Sequence, residues 1–116
     1  MEKQKGKGDC FVIAAKTVLE LSSNGRDNDT CRLVHGLAFG KGGNAKGIRY
    51  CHAWVEVNDE FVLDFANGNN VGMPKDEYYT LGQIETVKKY TPKETIQLLC
   101  DTENYGPWDE AFSDYP

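Results

Sequence analysis

The chain has 116 residues, 40% of them hydrophobic, which suits one domain, residues 1–116, built around a single core. A net charge of -5 and a pI near 5.0 exclude the basic balance expected of a general nucleic-acid binder. No apolar run approaches the ~18 residues of a membrane span. The basic start leads into an amphipathic helix without a small-residue cleavage site, so the expected location is the cytoplasm.

In chain order, residues 1–9 are polar, with Gly6 and Gly8 interrupting Lys3, Lys5 and Lys7, and read as a solvated end. Asp9 reads as a helix N-cap. Residues 10–21 form a helix pattern, with Phe11, Ala14, Ala15, Val18 and Leu21 at helical spacing. Val12, Ile13 and Leu19 widen its apolar surface, so it is expected to be buried on most sides. Residues 22–30 form a polar loop around the turn signal Asn24-Gly25. Residues 31–39 read as a strand, with Leu33, His35, Leu37 and Phe39 on one face and Gly36 as a weak point. Residues 40–47 contain four glycines and read as a flexible loop bordering the strand that follows.

Residues 50–66 carry the strongest pattern, two strand-like runs around a short polar break. Ala53, Val55 and Val57 share one face of the first run, and Phe61, Leu63 and Phe65 share one face of the second. The two apolar faces coincide only if Asn58, Asp59 and Glu60 form a three-residue loop. Val57 then faces Phe61, Val55 faces Leu63 and Ala53 faces Phe65. His52, Trp54, Asp64 and Ala66 fall on the other face, with Asp64 opposite Trp54 and diagonal to His52. Such diagonal neighbours lie about 7–8 Å apart, within reach of longer side chains.

Residues 67–72 read as a turn-rich connection, and Pro74 as the first residue of a short helix over 74–80. Residues 84–90 read as a strand. Thr91-Pro92-Lys93-Glu94 is a capping box that starts a helix running to about Asp101, with Ile96, Leu99 and Cys100 inward. The stretch from Tyr105 is aromatic and acidic with no clear period. The order of elements predicts an α+β fold, an antiparallel sheet packed on the N-terminal helix.

The chemistry centres on three residues. A histidine with a carboxylate behind it is half of a nucleophilic site, because the carboxylate fixes the tautomer and stabilises the imidazolium. His52 and Asp64 supply that half. Cys10 opens a helix, where the helix dipole and free N–H groups favour a thiolate and can hold an oxyanion. Asp9 beside it is a negative charge that opposes the thiolate unless it is occupied by capping. His35 is the competing histidine, but no acid in its own strand pairs with it. Trp54 shares the face of His52, as a wall of an acyl pocket or as core. The four cysteines, at 10, 31, 51 and 100, are too few for a disulfide scaffold and form no Cys-x-x-Cys pair. No metal and no cofactor is expected. The glycines at 40–47 precede no Gly-Lys-Ser/Thr, so they do not read as a phosphate loop.

Gly8-Asp9-Cys10 opening a helix, Leu33-Val34-His35-Gly36 in a strand, His52-Ala53-Trp54-Val55-Glu56-Val57, and Val62-Leu63-Asp64 together resemble the transglutaminase-like superfamily within the papain-like cysteine hydrolases. Small phage-encoded proteins of that type look similar. The resemblance covers roughly residues 8–66, and His52-Ala53-Trp54-Val55-Glu56 is its most specific part. It departs from the family at Phe11, where tryptophan is usual, and at Asp64-Phe65-Ala66, where Asp-Pro-Thr is usual. The resemblance implies a papain-like core with Cys10 as nucleophile, His52 as base and Asp64 as orienting acid. It also implies an oxyanion donor at Gln4, six residues before the cysteine. The implied activity is cysteine-dependent acyl transfer or hydrolysis of a peptide or protein amide. The alternative is an inactive phage-type relative that sequesters a host protein.

Overall fold

A computed structural model describes residues 9–23, 30–40, 46–68 and 70–116. Helix α1 (Cys10–Ser23) is followed by strands β1 (Cys31–Phe39), β2 (Arg49–Val57), β3 (Phe61–Asp64) and β4 (Val71–Pro74). Helix α2 (Lys75–Gly82), strand β5 (Glu85–Tyr90) and helix α3 (Pro92–Thr102) complete the order. The sheet runs β4-β3-β2-β1-β5, and each neighbouring pair is antiparallel. The fold is therefore α+β, as the order of patterns implied. Among the described residues no helix is long and apolar enough to cross a membrane.

The sheet separates two apolar layers. On one face, Leu33, Ala53 and Val55 pack against Ala14, Ala15 and Val18 of α1. On the other, Val34, Trp54 and Val62 pack against Tyr78 and Tyr79 of α2, with Ile84 and Val87. The alternation of β1 and β2 thus feeds both layers, because both faces of the central strands are covered. The β2–β3 hairpin has the expected register, Val57 opposite Phe61 and Val55 opposite Leu63, with a loop at 58–60, but the expected Ala53–Phe65 pair does not form because β3 ends at Asp64 and Phe65 is exposed. Asn58 and Asp59 both take φ of 57°, a left-handed conformation that these two residue types tolerate better than most.

Two elements differ from the sequence reading. Residues 71–74 form an edge strand rather than part of a turn-rich connection, and α2 begins at Lys75 with Pro74 preceding it. Val71-Gly72-Met73-Pro74 carries a glycine and a proline, which are acceptable only because β4 is a short edge. In α3 the capping box forms as expected, Thr91 Oγ1 accepting from Glu94 N at 3.0 Å and Glu94 Oε1 accepting from Thr91 N at 2.9 Å. Its inward residues are Pro92 and Thr95, with Leu99 half-buried, while Ile96 and Cys100 are exposed. Solvent rather than core covers the Ile96 side, so the capping signal located the helix better than its apolar residues oriented it.

The aperiodic C-terminal stretch also has a structural role. Trp108 packs on His35 and Tyr90, with ring centroids 5.1 Å apart in each case. Phe112 is buried with Leu37 and Cys51. The Cys51 N–H donates to the Pro116 carbonyl at 3.1 Å, satisfying a backbone donor on a part of β2 that β3 does not reach.

Candidate functional site

β3 pairs with β2 only along Val55–Val57, so the first half of β2 has β1 on one side and no β3 partner on the other. The start of α1 meets β2 around that open edge. Cys10, Trp54, Asp64 and Ala66 line one narrow space there, with no room for water. This is how a helix packed on one face of the sheet brings its first residue to a histidine on the other.

His52 Nε2 donates to Asp64 Oδ2 at 2.8 Å. That bond occupies one ring nitrogen, and Cys10 lies near enough to the ring to influence its charge. Burial disfavours a charge on His52, but the bond to Asp64, the nearness of Cys10 and the Asp64 charge outweigh it, raising the ring pKa to about 10. Burial pushes the Asp64 carboxyl upward, yet His52, the Tyr78 hydroxyl and the Ala66 N–H hold it below its ordinary value. The Tyr78 hydroxyl donates to Asp64 Oδ2 at 2.6 Å, and Ala66 N donates to Oδ1 at 3.1 Å. Burial and the Asp64 charge push the Tyr78 hydroxyl upward, so it stays a donor.

Of the residues singled out from sequence, His52 and Asp64 are hydrogen-bonded, and Asp64 and Cys10 line one space. Cys10 is 3% exposed. Trp54 is fully buried in the core with Val34 and Val62, and its ring flanks His52 at 5.9 Å. Gln4 and the three N-terminal lysines lie outside the described residues, as do Asn24-Gly25 and residues 41–45 of the glycine loop. His35 is also fully buried, between Phe11, Tyr90, Trp108 and Phe112, and neither ring nitrogen has a hydrogen-bond partner. Burial lowers its pKa to about 4. It is a neutral aromatic of the core rather than a base.

The other cysteines separate from Cys10 by position. Cys31 and Cys51 are buried, and Cys100 is exposed on α3. Burial, followed by the charge of Cys10, pushes the Cys51 thiol up to about 12. Among the described residues no group of three or more histidine, cysteine or acidic side chains is placed to hold a metal ion.

Sequence reasoning missed two partners. Tyr78 approaches Asp64 from α2, and only the packing of that helix determines which side chain it meets. Glu56 is 1% exposed and accepts from Trp54 Nε1 at 3.0 Å and from the Tyr79 hydroxyl at 2.6 Å, with Lys89 Nζ 3.0 Å from its other oxygen. Its parity with His52 and Trp54 was available in the sequence: three alternating polar or amphipathic residues on one face imply a polar network there.

No family model, no curated protein and no solved structure matches the chain.

Proposed function

We propose that this protein is a cysteine-dependent hydrolase or acyltransferase acting on an amide bond, with a papain-like, transglutaminase-like arrangement of Cys10, His52 and Asp64. The observation that carries the reading is the 2.8 Å bond from His52 Nε2 to Asp64, a carboxylate that lines one narrow space with Cys10. Asp64 fixes the tautomer and supports the charged ring, the role a triad acid plays.

In the proposed reaction His52 already holds the proton that the Cys10 thiol has given up, and the thiolate sulfur forms a bond to the carbonyl carbon. The carbonyl electrons move to oxygen, which the Cys10 N–H and Gln4 are expected to stabilise. Collapse of that intermediate breaks the C–N bond, and His52 gives its proton to the leaving nitrogen. The resulting thioester is resolved by water or by an amine, with His52 again taking the proton.

The test is intact-mass detection of a covalent adduct with an amide-mimicking electrophile. Wild type is expected to form it at Cys10, and Cys10→Ala and His52→Ala to lose most of it. Combining the two changes should cost little more than either alone, because the pair acts as a unit. A second reading, a non-catalytic protein that sequesters a host factor, is favoured by one observation, the 3% exposure of Cys10. A folded Cys10→Ala protein with its full biological effect would replace the first reading with the second.

A further inference from the structure

A cleft of about 450 Å³ opens beside His52, between β4, α2 and the ends of β1 and β2 that adjoin it. Cys10 does not line it, but His52 and Asp64 do, and Asp64 also lines the narrow space that holds Cys10. The polar groups of the cleft gather at one end, where Tyr50, His52, Asp64 and Tyr78 meet. The rest of its lining is largely apolar and includes Phe39, Met73, Leu81 and Ile84, with Val71 opposite Asp64 in the β3–β4 ladder. A mostly apolar cleft with a few convergent polar groups has the composition of a small-ligand site. Leu81 is 52% exposed at its mouth, an apolar surface that the core does not use.

Charge narrows the occupant. Among the described residues the lining contains no lysine or arginine, and the one carboxylate among them, Asp64, already accepts from His52, Tyr78 and Ala66. Arg49, stacked over the Phe39 ring at 5.3 Å, is engaged elsewhere: it pairs with Glu85 at 2.8 Å and donates to the Gln83 carbonyl. An acidic group in the cleft would meet the Asp64 charge, and the His52 ring, the cation beside it, is already paired to that carboxylate. A basic group would compete for a carboxylate already bound by three donors, and either would lose its hydration against the apolar lining.

Building on the proposed acyl chemistry, we infer that the substrate seats a bulky, uncharged apolar side chain in this cleft, next to the bond that is broken. His52 must reach both the sulfur and the leaving nitrogen, so a group held against His52 flanks the reacting bond. The tyrosines and His52 meet the neutral amide backbone, and Phe39, Met73 and Leu81 receive the side chain.

The experiment uses the full chain carrying Cys10→Ala, which cannot react, with ¹³C-methyl methionine. The methyl signal of Met73 reports on the cleft as N-acetyl amides of leucine, phenylalanine, aspartate and lysine are titrated in. The leucine and phenylalanine amides are expected to give a saturable shift, with the charged pair at least about tenfold weaker, the scale on which an apolar pocket discriminates. Leu81→Asp, at an exposed position that the fold tolerates, should weaken the leucine amide by a similar factor. Equal shifts from all four amides, no saturable shift, or indifference to Leu81→Asp overturns the inference. Adduct formation on wild type reports separately on the acyl chemistry. Saturable binding of apolar amides without any Cys10 adduct upholds the cleft and overturns the reaction. An adduct formed equally fast by electrophiles bearing leucine and aspartate side chains does the reverse.

Discussion

Asp64 is held from three directions, by the His52 ring, the Tyr78 hydroxyl and the Ala66 N–H, and each contact favours its charged form. The Tyr78 hydroxyl shares Oδ2 with His52, so it competes for the same lone pairs while fixing the carboxylate plane. Tyr78→Phe keeps the ring in the layer with Trp54 and removes only this donor. A hydrogen bond to a charged, buried acceptor contributes about 1.5–3 kcal/mol, and a loss of that size is expected from the urea midpoint at neutral pH. The sign of the pH effect follows from the carboxyl. Its folded pKa is depressed below 3.8, so its contribution is present above that value and is lost as pH falls through the folded one. Without Tyr78 the folded value rises, and acid unfolding should move to higher pH. An unmoved acid midpoint in Tyr78→Phe would show that the hydroxyl does not hold Asp64. Asp64→Asn is expected to slow adduct formation at Cys10 less than His52→Ala does, because its role is to orient.

Strands β1 and β2 show where a single position governs two layers. Gly36 lies beside His52 in the ladder, and a β-carbon there would come within 2.7 Å of the Trp54 ring and 2.9 Å of a Val87 methyl. The β1–β5 register shifts at this point, between His35 and Leu37, opposite Thr86 with φ of 55°. Gly36 is therefore required by the passage of Trp54. Gly36→Ala forces overpacking, with an expected loss of about 1–3 kcal/mol in denaturant titrations. Because the displaced ring flanks His52, the rate of Cys10 adduct formation should fall as well. Stability and rate both at wild-type levels would count against this account. Sequence parity made the β2–β3 hairpin legible, since one apolar face per strand admits only one register, and that register placed Asp64 within reach of His52. The capping box likewise located α3. It did not reveal β4, whose four residues carry no alternation and depend on β3 as a template. Nor did it reveal the tail, where Trp108 and Phe112 are placed by the groove around His35 rather than by any local period. The meeting of Cys10 with His52 was readable as chemistry but not as geometry, because it depends on where β3 stops.

Across the whole molecule, two buried histidines of opposite character shape the response to pH. His35 is neutral in the fold, its pKa lowered by burial from 6.5 to about 4. The unfolded chain therefore binds a proton that the folded chain refuses, and stability falls as pH drops from 6.5 toward 4. The interval corresponds to a loss on the order of 3 kcal/mol. His52 acts in the other direction. Its folded pKa is raised from 6.5 to about 10, so its stabilising contribution is complete below 6.5 and is lost as pH rises toward the folded value. Together they place greatest stability near pH 6.5, before the acidic groups and tyrosines are counted. The two limbs can be separated. His35→Leu removes a ring whose nitrogens are both unpartnered and leaves an apolar group among Phe11, Tyr90, Trp108 and Phe112. At pH 7 it should change stability little or raise it, since no hydrogen bond is lost. At pH 4.5 it should be clearly more stable than wild type, flattening the acid limb and leaving the alkaline limb in place. His52→Gln should do the opposite, lowering stability at pH 6 and flattening the limb above 7. Urea titrations from pH 4 to 9 on the two variants decide the matter, and an acid limb unchanged by His35→Leu would remove His35 from the account.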